Sequence, residues 1–427
     1  MKKEIKCDLC NHEISEFLDL GNQPLANKYP TKKEFKDEDF LPLKVLFCKN
    51  CKNVQLGHKV SRERMFENYY YLSSVNEGLV RYFEGLAEEL KDSDFLLDVG
   101  SNDGILLKPL RELGVDCIGV DPSDVAKVAN DAGLETIVSF FDSDCVDKII
   151  KEYRKPDCIV CSSTFTHLED PHDFIKNLKN LMTDDGKFLV EVEYVGNFIK
   201  NIHFERFYLD RVFYYSVTSL KSLFKQYEMD VVDVEEISPH GGSLKLTIMN
   251  SSQNIEPSQR TINWLKKEES ELTTEILTGF KGIVKENIVE FKNKLQEYKD
   301  QGLKVCGYGS PARLSCICNY GNIDENLIKF TVDDSPLKNQ GFKHTPGTHI
   351  PIVSREELEE YDPDVIVMFA YEYFEDIKNK LNKEYKFLLP IPPKEIDYYV
   401  YKGYTRTIEV NEKGEQTDNL EAKWETK

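Results

Sequence analysis

The segment Phe95-Leu96-Leu97-Asp98-Val99-Gly100, followed by Ser101-Asn102-Asp103-Gly104, narrows the choice of fold more than any other part of the chain. An apolar run ends in an acid and then in a turn with glycines at 100 and 104, and Ile105-Leu106-Leu107 opens a helix, so the order is strand, glycine turn, helix. Glycine permits the tight turn and lets a ligand approach the main chain. A second apolar strand, Cys117-Ile118-Gly119-Val120, ends in Asp121, roughly 20 residues beyond the loop. There a carboxylate can accept both hydroxyls of a ribose. Pro156 to Ser163 and Asp185 to Val192 read as two further strands, which predicts a parallel sheet with ligands gathered at its carboxyl edge.

The loop lacks the third glycine of a dinucleotide fingerprint, and an acid precedes its first glycine. That arrangement suits a ligand carrying an amino group rather than a pyrophosphate, so S-adenosylmethionine is the expected cofactor in place of NAD. Asp98, Gly100, Asn102, Gly104 and Asp121 are its expected contacts, with Phe140 and Phe141 flanking the adenine and Ser162 at the end of a neighbouring strand.

Cys7-x-x-Cys10 and Cys48-x-x-Cys51 form two knuckles, each able to offer two thiolates to a tetrahedral ion. Four thiolates close the coordination shell of zinc, so a structural Zn2+ is predicted with no open position for catalysis. The other seven cysteines are scattered in apolar segments and read as core residues.

At 427 residues the chain is expected to form several domains, and its 40% hydrophobic content is enough to offset ordering entropy by burial. The pattern divides it into 1–60, 61–255 and 256–427. The stretch from Thr261 to Gln301 carries apolar residues at helical spacing and predicts one or two amphipathic connecting helices. The charged tail after Thr407 is expected to fray. A formal charge of −20 repels phosphate backbones and anionic headgroups, so neither nucleic acid nor membrane is an expected partner. No apolar run approaches the roughly 20 residues of a membrane helix. A cytoplasmic monomer or small homo-oligomer is the expectation.

The third region repeats the theme of the second. The strand Lys304-Val305-Cys306 runs into Gly307-Tyr308-Gly309-Ser310-Pro311-Ala312-Arg313, another glycine turn before a helix whose backbone amides could hold a phosphate. The whole chain therefore reads as α/β: a small N-terminal zinc domain, a central Rossmann-like methyltransferase domain, and a second Rossmann-like domain.

Several segments together resemble one family, the three-domain nucleotide-sugar C-methyltransferases of branched deoxysugar synthesis. They are the cysteine pairs with Leu18 to Asn27, the lead-in Tyr70-Tyr71-Leu72-Ser73-Ser74, the run Thr166 to Phe174, His240 to Leu244, and the glycine turn at 307–313. The resemblance implies a nucleotide-activated keto sugar as substrate, with Tyr71, Tyr308, Ser310 and Arg313 among its contacts. It also implies a base histidine in a Tyr-His-Glu-His segment. Here that segment is Tyr208-Leu209-Asp210-Arg211, in a register fixed by Phe213 to Leu220. Arginine stays protonated and cannot inherit a base's role. His167, Tyr208, Asp210, Arg211 and His240 are the candidate catalytic residues, and His203 and Glu205 lie in the adjoining stretch. Methyl transfer to carbon requires a relocated base, whereas transfer to oxygen or nitrogen requires less. Isomerisation or elimination on the same sugar, or an inactive ligand-binding protein, are the alternatives.

Overall fold

The structure, a computed structural model, describes residues 5–61, 64, 72–239, 242–339, 343–381, 383–396, 400–410 and 416–425. Tyr71 and His240 lie outside the described residues. The chain forms two compact units, one made of 1–15, 46–195 and 211–273, the other of 16–45, 196–210 and 274–427. β1 (Ser15–Pro24) and β2 (Phe40–Phe47) are neighbouring strands, and most of both falls in the second unit.

In the first unit, β3 (Val54–Leu56) precedes a sheet built from β4 (Leu96–Val99), β5 (Cys117–Val120), β6 (Thr136–Ile137), β7 (Cys158–Ser162) and β8 (Lys187–Glu193). After β9 (Phe213–Tyr214), which pairs antiparallel with β3, come β10 (Met229–Ile237) and β11 (Ser243–Asn250). The sheet order is β10-β11-β8-β7-β4-β5-β6. Its five central and edge strands from β8 to β6 are parallel, as the apolar runs predict, but β11 enters antiparallel to β8 and β10 antiparallel to β11. The expectation of a wholly parallel sheet is corrected by this hairpin. Antiparallel neighbours need no crossover helix between them.

The helices form where apolar residues recur on one face. Glu77–Leu90 buries Leu79, Phe83, Leu86, Ala87 and Leu90, and the Asn76 side chain caps its first turn by accepting from the amides of Gly78 and Leu79. Pro171–Leu181 begins with proline and is capped by Asp170. Phe165 packs at the centre of the core against Phe174, Phe188, Tyr215 and Phe224. The knuckle cysteines Cys7, Cys48 and Cys51 belong to this same apolar cluster.

The second unit holds β12 (Val305–Tyr308), β13 (Thr331–Val332), β14 (Ile352–Val353), β15 (Val365–Met368), β16 (Lys386–Pro390) and β17 (Pro393–Ile396), ordered β14-β13-β12-β15-β16-β17. All pairs are parallel except β16 with β17. The chain leaves β12 toward β13 on one side and returns at β15 on the other, so the strand order reverses between β12 and β15. Two helices connect the units' sequences, Gln259–Glu271 and Thr274–Asp300, as the spacing predicts. The longer one buries Leu277, Phe280, Val284, Ile288, Phe291, Leu295 and Tyr298 along one stripe. The tail departs from the expected fraying: β18 (Val400–Val410) pairs antiparallel with β19 (Gln416–Glu425). Tyr, Thr, Ile and Val in 404–410 favour an extended backbone, which the charge content of the tail obscures.

Candidate functional site

The glycine turn after β4 has the geometry its residues predict. Gly100 sits at φ +82°, and a Cβ there would come within 2.0 Å of the Thr164 hydroxyl, so only glycine fits where this loop meets the segment after β7. The Asn102 amide donates to one oxygen of Asp121 (3.0 Å), and the Ser123 amide and hydroxyl donate to the other (2.9 and 2.5 Å). The loop and the acid at the end of β5 are thus locked together. The Asn102 side chain accepts from the amide of Ser73 (3.0 Å), tying the lead-in segment to the same turn.

Asp98 ends the central strand and is buried. Burial pushes its carboxyl up to about 8, and the neighbouring Asp121 and Glu191 carboxyls add to the shift. Glu191, on β8 opposite Ser162, is also raised by burial and accepts a hydrogen bond from Tyr82. The buried Ser101 hydroxyl and one oxygen of Asp103 have no hydrogen-bond partner among the described residues. An edge lined with carboxyls and unsatisfied polar atoms fits a ligand with a cationic sulfonium and an ammonium group. Phe140 is half-buried, while Phe141 packs on Phe174 (4.9 Å between centroids) as part of the core.

The four knuckle sulfurs lie within 4.8 Å of one another, with Cys7 to Cys51 at 3.7 Å and Cys10 to Cys48 at 3.5 Å. A zinc ion with thiolates at about 2.3 Å requires edges of about 3.8 Å, so the set fits. The Asn53 side-chain amide points to the Cys7 sulfur (3.5 Å) and that of Asn50 to Cys10 (3.7 Å). His172 fastens the knuckle to the helix Pro171–Leu181, with Nε2 on the Asp8 carbonyl (2.8 Å) and Nδ1 on the Tyr227 hydroxyl (2.7 Å).

The acceptor candidates divide between the units. In the first, His167 ends the 3-10 turn after β7 and is half-buried. Arg211 forms an ion pair with Glu193, both largely buried. Glu193 closes β8 at the carboxyl edge. In the second unit, Tyr208 is half-buried and Asp210 accepts from the Asn27 side chain (2.6 Å).

The glycine turn after β12 shows the same economy. Gly309 has φ +86°, and a Cβ there would stand 2.4 Å from that of Ala370, so the loops after β12 and β15 touch at the point where strand order reverses. The Ser310 amide donates to Asp333 (2.9 Å), and the Ser310 hydroxyl is buried with no partner among the described residues. Lys338 donates to the Ser310 carbonyl and to Asp333, and Tyr308 donates to Asp334 (3.1 Å). Arg313, expected to meet an anion, is instead bonded to Glu372 (2.9 Å) and lies over the ring of Tyr371 (4.4 Å). Burial alone would push Glu372 up, but Arg313 and Arg206 pull it down to about 2.

Facing that pair is a cluster the motifs did not reveal. Tyr371 donates to Glu205 (2.7 Å), and His203 Nδ1 lies 3.2 Å from the same Glu205 oxygen and 3.2 Å from the Tyr371 hydroxyl. The His203 and Tyr371 rings stack, 6° from parallel. Burial would raise the Glu205 carboxyl, yet the His203 ring and Arg206 hold it below the ordinary carboxylate range.

An acid at the end of β5 bonded to a glycine turn, and an antiparallel hairpin closing a parallel sheet, go with an S-adenosylmethionine-dependent methyltransferase bearing a four-cysteine zinc site. Family models place it further. Residues 7–66 match a model described as "Putative zinc binding domain", 64–234 a "Methyltransferase domain", and 238–392 a "C-methyltransferase C-terminal domain". With all three in succession, the chain matches the three-domain C-methyltransferase family. C-methyltransferase NovU of Streptomyces niveus is 29% identical over 404 residues, covering 91% of this chain and 95% of its own. The mitochondrial ubiquinone biosynthesis O-methyltransferase of Arabidopsis thaliana is 28% identical over 27% of this chain and 38% of its own. Among solved structures, the magnesium protoporphyrin IX methyltransferase ChlM of Synechocystis PCC 6803 aligns with 44% of this chain and 92% of its own, at 14% identity and a TM-score of 0.33. Among the described residues no helix is long and apolar enough to cross a membrane.

Proposed function

We propose that this methyltransferase places a methyl group on a ring carbon of a nucleotide-activated keto sugar in the cytoplasm, with 1–60, 61–255 and 256–427 as its zinc, donor and acceptor parts. The observation that carries the reading is the "C-methyltransferase C-terminal domain" match over 238–392, joined to 29% identity with C-methyltransferase NovU across 91% of the chain. The switch point between β12 and β15 supports it, because ligands of open α/β sheets gather where strand order reverses.

When bound, adenosylmethionine supplies an electrophilic methyl group. Asp121, Asn102 and the Gly100 turn are proposed to hold its ribose and backbone, with Gly104 opening the helix, Ser162 and Phe140 bordering the site, and Asp98 facing the amino group. A base removes the proton from the carbon beside the carbonyl, the new carbon–carbon bond forms, and the carbon–sulfur electron pair stays on sulfur. Arg211 stays charged against Glu193 and takes no proton. His167, Tyr208 and Asp210 are proposed to border the acceptor, together with Tyr71 and His240, and Ser310 and Tyr308 to meet the nucleotide.

Incubation with methyl-labelled donor and a panel of nucleotide sugars tests the reading. Stoichiometric adenosylhomocysteine and a product with the methyl on carbon are expected. The pairing of Arg211 favours a second reading, methylation of oxygen or nitrogen, and the position of the label separates the two. No methylated product from any nucleotide sugar would overturn both.

A further inference from the structure

The first sheet brings a second carboxyl to the face on which Asp98 stands. We propose that Glu191 is a further residue of the donor site, its carboxylate joining that of Asp98 on the ammonium group of adenosylmethionine, an assignment that rests on the place given to the amino group in the function proposed above.

Strand register puts both residues on one face. Asp98 pairs with Val160 across β4 and β7, Ser162 lies two residues farther along β7, and Ser162 pairs with Glu191 across β7 and β8. Opposite residues of neighbouring strands share a face, as do residues two apart along one strand. The helix Glu77–Leu90 covers that face, with Leu79, Phe83, Leu86 and Ala87 in one apolar cluster with Val160 and Leu189. Asp98 and Glu191 interrupt this apolar surface, and they keep only 4% and 3% of their own surface exposed.

No cation is bonded to either. Burial, then the carboxyls of Asp121 and Glu191, push Asp98 up to about 8, and no donor bonds to it among the described residues. Glu191 accepts from the Tyr82 hydroxyl. Burial is the largest influence on it and keeps its carboxyl raised, although Tyr82, Ser162 and Lys245 act to lower it. Lys245 stands opposite Glu191 on β11, but its ammonium is bonded to Glu89 (2.5 Å) and Glu235 (3.1 Å). Two buried carboxyls with no opposite charge between them are costly to ionise in the ligand-free protein and suit a ligand that brings that charge.

The surroundings of Asp98 point to a ligand independently. Gly119 is its register partner on β5, and a Cβ there would come within 2.3 Å of the Ser101 hydroxyl, so this hydroxyl occupies the same face. It is buried and has no partner among the described residues. A carboxyl and a hydroxyl without partners thus lie at the carboxyl end of β4, where a polar ligand satisfies both. The covering helix is fastened to the glycine turn just before its start, where the Ser74 amide and hydroxyl donate to Asp103 (3.0 and 2.6 Å). From that helix Tyr82 holds one Glu191 oxygen and leaves the other to the ligand, which makes Tyr82 a positioning residue.

The test is calorimetric titration of the full-length, zinc-loaded protein with adenosylhomocysteine and with its desamino analogue, in which hydrogen replaces the α-amino group. Wild type should prefer adenosylhomocysteine by at least about 10-fold, the effect of one hydrogen bond between charged groups. Glu191→Gln should weaken adenosylhomocysteine by about 10-fold and leave the analogue unchanged, since only the former carries the ammonium. Tyr82→Phe should show a smaller loss with the same selectivity, and it reads the assignment if Glu191→Gln does not fold. Equal weakening of both ligands by these variants, the mark of a purely structural role, or no weakening of either, would overturn the assignment. Asp98→Asn separates that failure from a deeper one. A selective loss of adenosylhomocysteine in Asp98→Asn would leave the amino group at Asp98 and strike only Glu191, whereas equal loss of both ligands there, or a wild type without preference, would overturn the placement of the amino group itself.

Discussion

Burial, reinforced by Asp121 and Glu191, holds the Asp98 carboxyl protonated up to about pH 8 in the ligand-free protein. The unfolded chain ionises the same group near an ordinary value of about 3.9. Between those values the folded state carries a proton that the unfolded state has lost, so this group's effect on stability worsens as pH rises through the window and levels off above it. Asp98→Asn removes the titration. Its unfolding temperature, measured against wild type, should gain more at pH 8 than at pH 5, and equal gains at both would show the carboxyl already ionised. Asp121 makes a different prediction. In the function proposed above it holds the ribose, and one hydrogen bond to a carboxylate is worth about 1.5–3 kcal/mol, so Asp121→Ala should weaken adenosylmethionine by roughly 10- to 100-fold in calorimetric titration. Asp98, Gly100 and Asp121 were legible in the sequence because a turn and a strand end are local. The partner of Arg211 was not, because Glu193 lies on another strand and spacing says nothing of such pairs.

Among the elements, the helix Gln259–Glu271 shows where pattern reading stops. Its spacing reads as amphipathic with charges between the apolar residues, yet one of those charges, Glu268, is completely buried. Its carboxylate accepts from the amides of Val217 and Thr218 (2.7 and 2.8 Å) and the Thr218 hydroxyl (2.6 Å), and so closes the first turn of the helix Val217–Lys225. Glu268→Ala would orphan buried donors and should cost about 2–4 kcal/mol in denaturant unfolding. Glu268→Gln keeps an acceptor and should cost less. A loss below about 0.5 kcal/mol for the alanine variant would mean that water replaces the carboxylate. The antiparallel hairpin of β10 and β11 was hidden for a related reason: alternation cannot reveal strand direction, and only pairing to β8 fixes it.

At the scale of the whole molecule, the knuckle cysteines read from the sequence as a separate small module are part of the methyltransferase core. Cys7, Cys48 and Cys51 share one apolar cluster with Phe165, Phe188 and Phe224, and Gln226 and His172 bond to the carbonyls of Leu9 and Asp8. Removing zinc should therefore lower the unfolding temperature of the first unit as a whole and weaken adenosylmethionine binding with it. Calorimetry before and after chelation reads both, and an unmoved cofactor-unit transition would show the knuckle to be independent.

The interleaving of the two units sets a timetable for synthesis. Residues 16–45 leave the ribosome early, but Phe17 packs on Phe280, Tyr29 bonds to the Ser310 carbonyl, and Glu38 bonds to the Gly347 amide. Those partners arrive only after the sequence of the first unit is complete. A growing chain can therefore close its first unit while two of its segments, 16–45 and 196–210, are still waiting for residues not yet made. A stop codon anywhere between residues 274 and 310 would release a protein whose segment 16–45 lacks partners it is built to pack on, displaying apolar surface meant for burial. Chaperones and proteases would meet it first.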